Sequence, residues 1–144
     1  MKASNARPAD LEIDTDLERL YVSTREGMVL IFDVKTPRSI VMIHTMRLCR
    51  VSQNDYIKDM NLDTDRNILL CRAKSGIVSV VQLINRGVVK STVIETINSY
   101  EGNREDNLSR FKWLSRMSCY CEGTQKGWMR IRDIEKGGEC TLML

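Results

Sequence analysis

The chain has 144 residues, 42% apolar and 28% charged, with 22 basic against 19 acidic side chains and a formal net charge of +3. That length and apolar share exclude disorder over most of the chain. The near balance of charge gives no strong pull toward nucleic acid or an anionic membrane, and runs such as 28–32 and 40–43 are too short to span a bilayer.

The elements follow from comparing the chain with itself. Residues 11–27 read LEIDTDLERLYVSTREG and residues 60–76 read MNLDTDRNILLCRAKSG. The Asp-Thr-Asp run and the closing glycine both recur at an offset of 49 (63 − 14 and 76 − 27). Gly127 lies 51 beyond Gly76, after an apolar pattern that has lost the Asp-Thr-Asp run. A period of about 50 residues marks a repeat architecture.

After a tail at 1–9, strands are expected at 10–13, 19–24, 28–34 and 38–46. A connector at 47–55 leads to strands at 57–62, 68–73, 77–83 and 88–96 within a second unit, 56–97. A polar loop at 98–107 leads to strands at 110–114, 118–122, 128–134 and 139–144 within a third unit, 108–144. Val, Ile, Leu and Thr dominate these runs, as a pleated, half-buried surface prefers. Asp14-Thr15-Asp16 and Asp63-Thr64-Asp65 suit turns, because a carboxylate can bond nearby amides. Gly27, Gly76 and Gly127 suit hairpins. No helix is expected.

Four strands per repeat with a glycine-led third strand resembles a WD-repeat β-propeller blade. That family closes the third strand with Trp-Asp; the matching positions here hold Phe32-Asp33, Val81-Gln82 and Arg132-Asp133. The acidic residue before the glycine is Glu26, then Ser75, then Lys126, and the family's Gly-His pair is missing, His44 being the one histidine. The resemblance implies an all-β fold of three four-stranded antiparallel blades that does not close a ring by itself. It also implies a non-catalytic protein–protein scaffold of a eukaryotic type.

Catalytic, metal-binding and cofactor-binding residues are not expected. One histidine leaves no nucleophile–base pair with recognisable spacing. Cys119 and Cys121 are one residue apart rather than two to four as in zinc sites, so they read as strand cysteines, with Cys71, and are expected to be reduced and metal-free. The Asp-Thr-Asp runs lack the glycine bend of a calcium loop. Five cysteines cannot all pair, and Met1–Asn5 leads into Arg7-Pro8 rather than an apolar leader, so a cytoplasmic setting is expected. The alternative function is nucleic-acid binding through Arg104, Arg110, Lys112, Arg116, Lys126, Arg130 and Arg132 with Trp113 and Trp128. Acidic residues dilute that patch.

Side chains alternate along the third strands. One face carries Met28, Leu30 and Phe32, then Ile77, Ser79 and Val81, then Trp128, Arg130 and Arg132. The other stays apolar, with Val29 and Ile31 in the first repeat. Unpaired charges are costly between blades, so the first face is expected to look toward the next blade and to end the stack at Arg130 and Arg132. Val29 and Ile31 are then expected to lack a neighbour and, with Trp128, Arg130 and Arg132, to be the partner-binding residues. The partners expected are other protein chains, including self-association through the first blade. Head-to-tail stacking would set apolar against basic ends, so a different partner or a pairing of two first blades is expected instead.

Overall fold

The computed structural model describes residues 6–49, 54–86, 88–98, 108–124 and 127–144. Twelve strands form three four-stranded antiparallel meanders. The first blade holds β1 (Pro8–Asp14), β2 (Arg19–Thr24), β3 (Met28–Asp33) and β4 (Val41–Arg47). The second holds β5 (Ile57–Asp63), β6 (Ile68–Ala73), β7 (Ile77–Arg86) and β8 (Val88–Asn98). The third holds β9 (Leu108–Leu114), β10 (Cys119–Thr124), β11 (Met129–Asp133) and β12 (Glu139–Met143). The helical element among the described residues is a single 3-10 turn, Ser115–Met117, where the third repeat lacks the Asp-Thr-Asp run. The fourth strand of blade 1 starts at Val41 rather than 38, because Ser39 N–H closes a turn onto the Thr36 carbonyl at 2.8 Å. Apart from Asn98 the polar loop expected at 98–107 lies outside the described residues.

The backbone repeats more faithfully than the side chains. A bulge interrupts the pairing of third and fourth strands at Ile31/Phe32, Val80/Val81 and Ile131/Arg132, at the offsets of 49 and 51 seen in the sequence. Bulges raise the local twist, which lets each sheet turn as a propeller blade must. Glu18, Asn67 and Ser118 take the same left-handed conformation, with φ of 52°, 52° and 51°. Their carbonyls accept Val34, Leu83 and Ile134 N–H at 2.9, 2.8 and 3.0 Å, tying the first hairpin to the residue after the third strand in blades 1 and 3 and to the third strand itself in blade 2. Three different side chains hide this signature from the sequence.

Two cores lie between the blades. The first joins Tyr21, Val29, Ile31 and Met46 of blade 1 to Met60, Leu69, Cys71 and Val81 of blade 2. The second joins Leu70, Val78 and Val80 of blade 2 to Phe111, Trp113 and Tyr120 of blade 3. Each blade therefore has a leading face toward the next blade and a trailing face toward the previous one.

Polar side chains bolt the junctions. Asp10 on β1 accepts Met60 N–H at 2.7 Å, and Ser23 donates to the Ile57 carbonyl at 3.1 Å. Asn61 on β5 accepts Trp113 N–H at 3.1 Å. Asp63 is the densest of these bolts. Its Oδ1 accepts Arg66 N–H at 3.1 Å and caps its own turn, while its Oδ2 accepts Trp113 Nε1–H at 2.8 Å and the Ser115 hydroxyl at 2.6 Å from blade 3. Burial by itself would raise the Asp63 pKa; the hydrogen bonds from Ser115, Trp113 and Arg66 outweigh it and hold the carboxyl below its ordinary value. A lowered folded pKa stabilises the fold above the unfolded carboxylate range, and that stability is lost as pH falls through the folded value. Asp63→Asn is therefore expected to cost about 1–3 kcal/mol near neutral pH, because buried donors lose a charged acceptor. The difference from the parent chain should shrink on acidification. Urea unfolding of both chains across that range checks this, and a cost independent of pH would show that Asp63 acts only through its shape.

Candidate interaction site

The junctions reverse the orientation expected from the sequence. Val29 and Ile31 are on the leading face of blade 1 and are fully buried against blade 2, so they are not a bare surface. Among the described residues, the face of blade 1 with no blade packed on it is the opposite one, its trailing face. There Leu20, Val22, Leu30 and Phe32, with Pro8 and Ile40, line a groove of about 300 Å³. Below them on β1, Leu11 is 62% exposed and Ile13 56%. At the other end the leading face of blade 3 is open, with Met129 37% and Leu142 45% exposed.

The orientation differs from that expectation because Arg132 has a buried partner on the adjacent strand. Arg132 lies on the trailing face of blade 3, 2% exposed, and its Nε donates to Glu122 Oε1 at 2.8 Å, while its Nη1 donates to the Gly138 carbonyl at 3.0 Å. Glu122, itself fully buried, supplies the charge that lets the guanidinium sit inside. Burial would lower the arginine's pKa, but the Glu122 hydrogen bond and charge raise it. The signal was present in the repeat offset. Glu122 and Arg132 stand 51 residues after Cys71 and Val81, so an apolar pair in blade 2 becomes an ion pair in blade 3. Arg130 is half-buried, and Trp128, 49% exposed, is the sequence-selected residue left at the surface.

A second buried arginine was missed. Arg72 on β6 pairs with Asp59 on β5, and its guanidinium lies 5.5 Å from the Phe111 ring centroid in blade 3. Both pairs leave one buried atom without a hydrogen-bond partner, Arg72 Nη1 and Glu122 Oε2. Pairs so incompletely satisfied repay little more than their desolvation.

The remaining candidates resolve locally. His44 Nε2 lies 2.8 Å from Ser91 Oγ, joining β4 to β8 at the outer edge of the first two blades. Its role there is to link two strands. Cys49 is pushed up to about 12, first by burial and then by Asp55, and burial raises Cys71, Cys119 and Cys121 as well. All five cysteines are free thiols, and no metal-ligand cluster occurs among the described residues. The basic and aromatic stripe is broken up by the fold. Trp113 is buried on Asp63, Arg132 is internal, and Arg116 and Lys112 remain exposed; Arg104 and Lys126 lie outside the described residues. Among the described residues no helix is long and apolar enough to cross a membrane.

Arg132→Met, which strands a buried carboxylate, is expected to cost about 3–5 kcal/mol. Glu122→Leu together with Arg132→Met, which copies the apolar chemistry of blade 2, should return stability to within about 1 kcal/mol of the parent or above it. Urea midpoints of the three chains test this, and additive losses in the double variant would mean that the pair contributes through geometry that apolar side chains cannot replace.

No known family matches the sequence, and no curated protein does. Solved structures do match in fold. The Cps50 (Swd1) β-propeller domain of Myceliophteria thermophila superposes with a TM-score of 0.77 at 13% identity, over 98% of this chain and 42% of that one. The periplasmic gluconolactonase PpgL of Pseudomonas aeruginosa gives 0.72 at 14% identity, over 95% and 39%. Saccharomyces cerevisiae Sqt1 gives 0.70 at 11% identity, over 96% and 35%. The chain thus spans about two fifths of the length of these structures. At such identities the likeness concerns architecture, and together with the three four-stranded antiparallel sheets it gives the chain the β-propeller fold, as three consecutive blades.

Proposed function

We propose that the chain is a non-catalytic protein-interaction scaffold, acting in a reducing compartment such as the cytoplasm, and that one rim of the blade stack carries its contact surface. The observation that carries this reading is where polar chemistry is spent. Asp10, Asn61, Asp59, Asp63, Arg72, Glu122 and Arg132 are all engaged in bracing sheets and junctions. The rim formed by the second hairpin of each blade presents contact-type side chains instead. Arg25 lies 5.9 Å from the Tyr56 ring centroid there, and Trp128 stands exposed at the entry to β11. Trp, Tyr and Arg are the residue types that most often dominate protein interfaces.

The structural likeness to a gluconolactonase makes turnover the natural challenge to this reading. The likeness to Swd1, Sqt1 and a chain of the mitotic checkpoint complex, 16% identical with a TM-score of 0.68, favours assembly. The test is quantitative binding of the protein recovered by cross-linking with the tagged chain in its native cells. Trp128→Ala is expected to weaken that binding by tenfold or more, as loss of an interface anchor does, with the urea midpoint unchanged. Recovery of nucleic acid whose affinity collapses with salt, or binding indifferent to Trp128, would overturn the proposal.

A further inference from the structure

We propose that a basic corner formed by Arg7, Arg25 and Arg47 of blade 1 docks an extended acidic segment of a protein partner. That corner belongs to the rim proposed above as the contact surface, and the docking rests on that reading.

Three parts of the chain converge there. Arg7 leads into β1, Arg25 follows β2 at the hairpin tip, and Arg47 ends β4 opposite Met28. Arg25 N–H donates to the Arg7 carbonyl at 2.8 Å and holds two of the three together. All three side chains are exposed. Among the described residues, the acidic side chains on this rim of blades 1 and 2 are Glu26 and Asp55, and both are engaged. Arg7 donates to the Glu26 carboxylate from its backbone N–H and from Nε, each at 3.1 Å. That contact holds the Glu26 carboxyl below its ordinary value. Asp55 accepts the Ser75 N–H at 2.9 Å and the Ser75 hydroxyl at 2.5 Å. Arg47 meets the Glu26 backbone carbonyl, with Nη1 at 3.0 Å, and Arg25 lies over the Tyr56 ring, 5.9 Å from its centroid. Among the described residues, neither Arg25 nor Arg47 has a carboxylate partner.

Both guanidiniums are therefore held in place while their charge is unmatched. Contact through the ring face leaves the in-plane N–H donors of Arg25 open. Cations already fixed in position lose little freedom when a ligand arrives. The strip continues into blade 2, where the exposed Lys74 stands 49 residues after Arg25. The opposite rim of blade 1 carries Asp14, Asp16, Glu18 and Asp33 against Arg19, Lys35 and Arg38, so the blade is polarised from rim to rim. An arginine fork matches a carboxylate through two parallel N–H donors. Nucleic acid fits less well. Base stacking needs an open aromatic face, and Arg25 takes a face of the half-buried Tyr56.

The experiment is fluorescence anisotropy of a labelled peptide of alternating Asp and Gly. The parent is expected to bind it with an affinity that falls as salt rises, and to ignore the same peptide with Asn in place of Asp. Arg25→Glu with Arg47→Glu should weaken binding by about tenfold or more, and Arg25→Lys with Arg47→Lys should lose less. Lys35→Glu with Arg38→Glu makes the same change in net charge on the opposite rim and should leave binding intact. All four positions are exposed, so urea midpoints should match the parent. Equal losses from the two reversals would mean that net charge alone attracts the peptide, and would overturn the proposal. Tighter binding of a single-stranded oligonucleotide at the same corner would overturn it too. The partner recovered by cross-linking distinguishes two failures. If Trp128→Ala weakens its binding and the reversal of Arg25 and Arg47 does not, the rim stands and its acidic ligand falls; if neither matters, both fall.

Discussion

A four-stranded blade is apolar on both faces and can bury neither by itself. That constraint governs the rest of the molecule. Burial comes only when a leading face meets a trailing face, and blade 2, covered on both sides, is where the chain is densest: every residue of β6 is buried. Among the described residues, blades 1 and 3 are each covered on one face. The hydrogen bonds from Asp10, Ser23, Asn61 and Asp63 matter because they set the angle and register at which one sheet meets the next, and the apolar cores follow from that register.

Because the constraint acts on faces, the identity of individual residues is loose. The third strands lack the Trp-Asp pair of the WD-repeat pattern, and the blades are braced by other means. Asp63 receives Trp113 and Ser115 across the second junction, Asp59 holds Arg72, and Glu122 holds Arg132. The junctions are not copies of one another. The first is almost wholly apolar around Cys71 and Val81, and the second admits two arginines because carboxylates sit on adjacent strands. What recurs unchanged is backbone: the bulge after the middle of each third strand, and the left-handed residue whose carbonyl closes each blade. Blade shape is a property of twist, and twist is set by those backbone features more than by any side chain.

The same economy bears on function. The buried charged side chains Asp63, Arg72, Glu122 and Arg132 are committed to partners inside the fold. Burial drives the thiols of Cys49 and Cys71 away from thiolate, which makes them packing residues and poor nucleophiles or ligands.

By itself the sequence determined the repeat, the all-β class, three blades of four strands, and most strand positions, because hydrophobic alternation, glycine turns and Asx turns are local and their periods add up along the chain. Gly27 and Gly76 at φ of 78° and 87°, and the Asp14 and Asp63 caps, sit where those signals placed them. Which face of a blade meets which neighbour was not local, and the reading from Arg130 and Arg132 inverted it. A charge looks like a surface marker until its partner is known, and Glu122 becomes a partner only once β10 lies beside β11. Arg72 and the left-handed Glu18, Asn67 and Ser118 escaped for the same reason: their roles are defined by strands that meet only in the folded chain. Tertiary structure decided the orientation of the stack, and with it which apolar surfaces are core and which remain open.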